Sequence, residues 1–562
     1  MRRAEDLQHY AWLALALLAL LATGLGIRDP WPADEPRFAL IARDMVASGD
    51  WLFPRVGGEL YPDKPPLYLW MIALGLSLTG SLRIAFLLPS LLAACATVAL
   101  VYDLARRLAG REAALAAAFT LACTLQFVLQ GRAAQIDATV AFLITLGCYG
   151  LTRHMLLGPA WGWYFAGGFA AGLGVITKGV GFLPLLLLIP YAILRRRRWQ
   201  GLAPSAAGGW RWALAPLGLL AAIALWLVPM VWAVARHGTP EFAAYRDEIL
   251  FHQTLTRYGA SWHHVKAWYY YLVEVIPALW LPWSILAFWL VPGWRAAWRA
   301  RDARIWLPLS WVALVLLFFT LSPGKRGVYL LPALPGLALA AAPLLPAVLA
   351  RRGVAVASLA LSGVLLVAVA GIAIAVALDL PQAHTLLSAE NLPPDLPMYV
   401  PAFACAAAWL LAWRRPLLGW PLVLAALAAS FSWAIAPAID PIRSGRAFMQ
   451  HVLAQVPPDR ELGLVAYKEQ FLLHLDRPIV NFGHRRWRED GAEEADAARW
   501  LAAAPGRVLL VPDALLAPCF TTATAHGART SAGERWSLVT GSPAPDCVAR
   551  GDASRAIRYA PP

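Results

Sequence analysis

Val354 to Leu378 reads VAVASLALSGVLLVAVAGIAIAVAL, 25 residues without one charged side chain. About 20 apolar residues in a helix cross a hydrocarbon core of about 30 Å, so this stretch predicts a membrane-spanning helix. Runs of the same kind recur from Tyr10 to Ala436. The whole chain of 562 residues agrees with them: 59% is hydrophobic and 15% charged, with a mean hydropathy of +0.56. Soluble proteins carry about 25% charged residues, and what remains here cannot cover an aqueous surface. Length alone would predict three or four soluble domains; the composition excludes them. The net charge of +14 reads first as a topology signal in such a chain, and no nucleic-acid partner is expected.

Basic clusters belong on the cytoplasmic side, which turns the threading into a parity problem. A first helix at about 10–27 follows Met1-Arg2-Arg3. No small-x-small cleavage site follows it, so it reads as a retained helix with its N-terminus inside. The later clusters are Arg106-Arg107 with Arg111, Arg195 to Arg198, Arg295 to Arg304, Arg351-Arg352 and Arg414-Arg415. All fall inside if spans lie near 84–105, 112–130, 138–157, 163–177, 180–194, 211–235, 272–292, 306–321, 328–348, 354–378, 399–413 and 417–436. That predicts about 13 transmembrane helices and an outer C-terminus. Leu67 to Thr79 stays outside this count. It is short for a bilayer and reads as an interfacial or re-entrant helix, with a true span as the alternative.

The expected organisation is a membrane domain over 1–438, with outer loops 28–83 and 236–271, and an outer soluble domain over 439–562. The tail's composition shifts to charges throughout, with β-like runs at Leu462 to Ala466 and Arg507 to Val511 and a helical stretch near Glu493 to Ala504. A small α/β domain follows from that pattern. Cys95, Cys123, Cys148 and Cys405 lie in spans, where a thiol behaves as a small hydrophobe. Cys519 and Cys547 stand in the tail, where an oxidising compartment permits a disulfide; two unpaired cysteines are the alternative.

Ionisable residues near a membrane are expensive and mark functional candidates. Asp34 and Glu35 open a helical pattern running through Arg37 to Met45. Helix capping explains adjacent carboxylates there as well as chemistry does. Tyr61-Pro-Asp63-Lys64-Pro-Pro66 holds a Lys and an Asp between stiffening prolines, just before an apolar helix. A cation at that depth suits a lipid phosphate, or snorkels to bulk headgroups. Asp137 lies at the outer end of a span, Lys178 between two spans, and Lys325-Arg326 with Tyr329 at another outer mouth. Each alone reads equally as an interfacial anchor; together they predict one anion-binding cavity.

The second loop adds Arg257 and His252 among aromatics that read first as an interfacial belt. Asp63 and His252 would form a carboxylate–imidazole pair suited to zinc if the two loops pack together. Two ligands make an incomplete site, since catalytic zinc takes three, so no cofactor is certain. No GxxxxGK[ST] loop and no Rossmann fingerprint occurs, which argues against a nucleotide enzyme. A group transfer on the outer side would draw on a donor already in the membrane, such as a polyprenyl phosphate carrying a sugar.

These features resemble the GT-C glycosyltransferases. Asp34-Glu-Pro-Arg-Phe-Ala-Leu-Ile-Ala-Arg-Asp-Met45, Gly49-Asp-Trp51 and Asp63-Lys-Pro-Pro-Leu67 are similar to the lipid A aminoarabinose transferase branch of the protein-mannosyltransferase-like group. Gln135 to Thr139, Thr177-Lys-Gly179 and Tyr329 to Pro335 continue the likeness in order. Asp63 stands where the family usually has Glu, Phe38 where Tyr is commoner, and Val180 where Pro is common. The resemblance implies an undecaprenyl-phosphate-linked donor, transfer on the periplasmic face of the bacterial inner membrane, and lipid A or another envelope acceptor. It implies 4-amino-4-deoxy-L-arabinose or a related sugar as the group moved, with transfer to protein or another glycan as the alternative and a lipid transporter as the remote one. Asp34, Asp137 and Lys64 are then the catalytic candidates. Arg37, Lys178, Arg257, Lys325, Arg326 and Tyr329 are the candidates for lipid phosphate and substrate. A monomer is expected, with the tail domain covering the cavity rather than carrying chemistry.

Overall fold

Backbone N–H and C=O groups find no water in hydrocarbon, so each apolar run satisfies them within its own helix. The computed structural model describes residues 11–203, 209–251, 265–389, 392–484, 491–521, 525–531 and 534–562. Its principal helices begin with α1 (Ala11–Ala22), α2 (Glu35–Ser48), α3 (Leu67–Thr79), α4 (Leu88–Ala109), α5 (Arg111–Ala122) and α6 (Leu125–Gly131). They continue with α7 (Ile136–Leu157), α8 (Trp161–Lys178), α9 (Leu188–Arg196), α10 (Leu214–His237), α11 (Tyr271–Leu279) and α12 (Trp283–Arg299). The last of the membrane region are α13 (Ala303–Leu321), α14 (Gly327–Ala341), α15 (Arg352–Ala377), α16 (Tyr399–Ala412) and α17 (Gly419–Ser430). This is a polytopic helical membrane protein.

Among the described residues, six helical stretches are long and apolar enough to cross a membrane, and up to eight if the bent pairs α5–α6 and α11–α12 each count once. The pairs bend by 66° and 103°. The other runs of the expected set are shorter or interrupted helices. Prolines account for part of this, since each removes a donor and crowds the preceding turn: Pro282 lies in the α11–α12 bend, and Pro184 and Pro332 sit in 3₁₀ turns. Helix α3 has 13 residues, about 20 Å at 1.5 Å each, too short to cross. It buries Tyr68, Leu69 and Ile72 and leaves Leu74 and Leu78 exposed.

Helices α7, α8 and α10 meet through small residues, which let backbones approach closely in lipid. A Cβ at Gly150 would strike the Trp163 carbonyl, and one at Gly168 the Ala215 carbonyl. That contact fixes where the last turn of α8, carrying Lys178, can stand.

Beyond the membrane helices, β3 (Leu462–Leu464), β4 (Ile479–Asn481), β5 (Val508–Pro512), β6 (Ala525–Ser531), β7 (Glu534–Val539) and β8 (Ile557–Tyr559) form one sheet in the order β6-β7-β5-β3-β4-β8. Strands β5, β3 and β4 run parallel, and the outer pairings are antiparallel. The helix Ala492–Ala502 covers one face, with Phe482, Trp500 and Leu509 in the core. Cys519 and Cys547 are joined in a disulfide beside it. On the other side Phe448, Phe471 and Trp536 pack in the same core as Phe38 and Ile41 of α2. The boundary expected at 438/439 falls inside the helix Ala436–Arg443. That helix continues the line of α17, and its Asp440 accepts hydrogen bonds from the Asp29 backbone and the Trp31 indole.

Candidate active site

The two carboxylates at the head of α2 face different ways. Glu35 is buried and takes the Arg28 guanidinium on both oxygens, at 2.5 and 2.8 Å. It also accepts from the backbone N–H groups of Trp31 and Ala134, each at 2.9 Å. Glu35 is thus a clamp between the first loop and the segment leading into α7. Asp34 sits at the N-cap position, yet its side chain makes no cap hydrogen bond. Its oxygens lie 3.9 Å from Arg37 Nη1 and 3.9 Å from Arg326 Nη1. The sequence offered Asp34 as the N-cap and Glu35 as a first-turn charge; Glu35 does stand in the first turn, whereas the Asp34 side chain caps nothing.

A second group assembles across three helices. Lys178 at the end of α8 pairs with Asp137 in the first turn of α7, Nζ to Oδ1 2.5 Å. Each charge complements the dipole of its own helix, a cation at a C-terminus and an anion at an N-terminus. The Lys178 ammonium lies 4.5 Å from the centre of the Tyr329 ring, a cation–π contact. One turn of chain joins the two groups: Arg326 reaches Asp34, Tyr329 reaches Lys178, and the Tyr329 N–H bonds the Arg326 carbonyl at 3.1 Å. Asp34, Arg37, Asp137, Lys178, Arg326 and Tyr329 therefore belong to one site.

Lys325 points elsewhere. It is buried and donates to the carbonyls of Ser322, at 2.7 Å, and Lys266, at 3.2 Å. A buried ammonium needs acceptors, and these tie the loop before α14 to the second loop, where Val265 bridges Gly324. The ammonium expected to meet a phosphate is thus placed on two backbone carbonyls. Lys64 is half-buried, three residues before α3. Arg257 and His252 lie outside the described residues. No cluster of three metal-capable side chains occurs among the described residues, so Asp63 has no complete ligand set there.

The tail contributes more than a cover. The loop after β3 brings Glu469 to Arg37, Oε1 to Nε 2.5 Å, and the loop after β4 brings His484, whose Nδ1 is 3.9 Å from the same Glu469 oxygen. Both leave the carboxyl ends of parallel strands, where α/β sheets place ligand-binding groups. The short hairpin of β1 (Arg55–Val56) and β2 (Glu59–Leu60) docks on this edge. Asn481 donates to the Gly57 carbonyl at 3.0 Å, and the His484 backbone donates to Glu59. Tyr61, at the end of the hairpin, is fully buried beside Arg37; burial pushes its pKa up, Asp63 adds to this, and Arg37 opposes it. Burial pulls the His484 pKa down, with Glu469 and Asp63 opposing. The tail, expected to cover the cavity rather than carry chemistry, thus places Glu469 and His484 beside Arg37. Glu469 lies 432 positions from Arg37, and the one signal in the sequence was its place just after a β-like run.

The site thus joins cations and carboxylates from several helices of a polytopic membrane protein. Residues 63–232 match the family model described as dolichyl-phosphate-mannose-protein mannosyltransferase. The solved structure of ArnT from Cupriavidus metallidurans bound to undecaprenyl phosphate shares the fold, with a TM-score of 0.71 at 21% identity over 94% of this chain and 97% of that one. The undecaprenyl phosphate-alpha-4-amino-4-deoxy-L-arabinose arabinosyl transferase of Pseudomonas aeruginosa strain UCBPP-PA14 is 33% identical over 462 residues, 79% of this chain and 77% of the relative. Its namesake from Edwardsiella ictaluri is 32% identical over 339 residues, 58% of each chain. The chain belongs to this arabinosyl transferase family of glycosyltransferases.

Proposed function

We propose that this protein moves 4-amino-4-deoxy-L-arabinose from undecaprenyl phosphate to lipid A at the periplasmic face of the inner membrane. The observation that carries the reading is the single turn from Arg326 to Tyr329, which joins the Asp34–Arg37 and Asp137–Lys178 groups into one charged site. The bond from the anomeric carbon to the donor phosphate oxygen breaks, its electron pair leaves on the phosphate, and an acceptor oxygen bonds that carbon. The barrier is charge on the leaving phosphate, so preorganised cations dominate; Arg37, Arg326, Lys178 and Lys64 are the groups for it. An acceptor phosphate monoester, with a second pKa of about 6, is already nucleophilic and needs no general base. Asp34 and Asp137 then hold their cations and receive the sugar's ammonium.

The family model's description supports one second reading, transfer of a polyprenyl-linked sugar to protein or another envelope polymer. Mass spectrometry of lipid A from cells with and without the protein separates the two. A mass increment equal to one aminoarabinose is expected. Unchanged lipid A with an altered glycoprotein or core overturns the acceptor. Asp63 with His252 remains the proposed zinc pair, but no step is routed through a metal. Turnover is expected to survive exhaustive chelation; loss that zinc restores would establish the ion.

A further inference from the structure

Helices α1, α4, α6 and α17, with the turn that follows α17, enclose a cavity of about 330 Å³, within the range of small-ligand sites of about 300–1,000 Å³. Its walls are apolar, with Leu91, Leu129, Leu424 and Phe431 among them. Leu129 and Phe431 are also exposed on the outer surface of the molecule, so the mouth opens sideways between α6 and the end of α17. Two guanidinium groups line this space, those of Arg28 and Arg132. Arg28 is neutralised, because Glu35 takes it with both oxygens. Arg132 is not. Its donors go to the carbonyls of Leu20, at 2.8 Å, and Ala428, at 3.3 Å, and to the Ser432 hydroxyl, all of them uncharged. No described carboxylate pairs with it. A cation beside hydrocarbon without a counter-charge is costly, and the carbonyls satisfy its geometry without cancelling its charge. Glu35 cannot serve both arginines, since its remaining contacts are the Trp31 and Ala134 backbones.

We propose that this cavity holds one anionic phospholipid, its phosphodiester on Arg132 and an acyl chain between Leu91, Leu129 and Leu424. Its lining shares no residue with the group of Asp34, Arg37, Asp137, Lys178, Arg326 and Tyr329, where the proposed function places the donor. Glu35 bonds Arg28 of the cavity wall and the Ala134 N–H, three residues before Asp137. The bound lipid supplies the negative charge that no described carboxylate brings to Arg132, and it wedges α1 against α17 through the same guanidinium that already bonds both.

Native mass spectrometry of the full-length protein, released from phosphatidylcholine nanodiscs doped with phosphatidylglycerol, tests this. The wild type is expected to keep one phosphatidylglycerol in preference to phosphatidylcholine. Arg132→Gln keeps donors for the carbonyls while removing the charge, and Leu129→Trp obstructs the mouth while leaving the arginine. Each is expected to lower retention about tenfold, the scale of one charge-assisted contact. Equal retention of the two lipids by the wild type, or full retention by both variants, overturns the proposal. So does displacement of the phosphatidylglycerol, one for one, by undecaprenyl phosphate or by lipid A, which would give the cavity to donor or acceptor.

Discussion

Asp137, buried, and Lys178, mostly so, form a pair whose members cannot be removed singly without cost. Breaking such a pair by deleting one partner destabilises by about 3–5 kcal/mol, because the other charge stays buried and unmatched. Lys178→Met is therefore expected to lower the thermal unfolding temperature, and the double variant Lys178→Met, Asp137→Asn to restore most of it. Turnover should stay lost in both. Recovery of turnover in the double variant would show that the pair only holds helices together. At the same scale, spacing alone reads Asp34 and Glu35 as two acids at a helix start, and only the family resemblance singles out Asp34. Their roles separate only in space, because Arg28 and the Ala134 backbone claim Glu35 and leave Asp34 to the site. Lys178, Asp137 and Tyr329 were legible, since isolated charges at helix ends in an apolar chain stand out and the family motif frames them. Lys325 looked the same by that criterion and turned out to bind carbonyls.

Among elements, the helices were legible wherever an apolar run was long and unbroken. Their breaks were not, since a proline in a run marks either a kink inside one span or the end of it. The packing of α8 was hidden as well, because its glycines read as ordinary membrane residues. Gly168→Leu is expected to cost about 2 kcal/mol or more through overpacking, since its Cβ would strike the Ala215 carbonyl. Gly162→Ala, where a Cβ meets nothing within 4 Å, should leave the unfolding temperature unchanged. Equal behaviour of the two variants would remove close packing of α8 on α10 as the reason Lys178 stands where it does.

For the whole molecule, the seam between the first loop and the sheet decides most. Arg43 bonds the Tyr559 hydroxyl at 2.6 Å and the Leu472 carbonyl at 3.2 Å, alongside the Arg37–Glu469 pair. Glu469→Gln removes the counter-charge and leaves a bond in which only the Arg37 guanidinium is ionised. A loss of about tenfold in kcat/KM is expected with little change in stability; unchanged kinetics would detach Glu469 from the site. His474 lies in the same seam, where burial and then Arg446 hold its pKa down at about 4. The unfolded chain returns it to about 6.5, so between those values the unfolded state binds the extra proton. Stability therefore falls as pH drops from about 6.5 to about 4, and is unaffected by this group above that window. His474→Gln should flatten that part of the melting-temperature profile, and an unaltered slope would locate the dependence in other groups. None of this seam was legible in the sequence, because charged residues of a soluble tail look alike until the fold selects the few that meet the loop.

The seam also orders events in time. The ribosome makes Arg37 and Gly57 more than four hundred residues before Glu469 and Asn481, their partners in the fold. A nascent chain can insert most of its helices and still lack the groups that complete its site. A product truncated before Glu469 is expected to insert its membrane helices without the Arg37–Glu469 pair, so its turnover would measure what that late-arriving partner contributes.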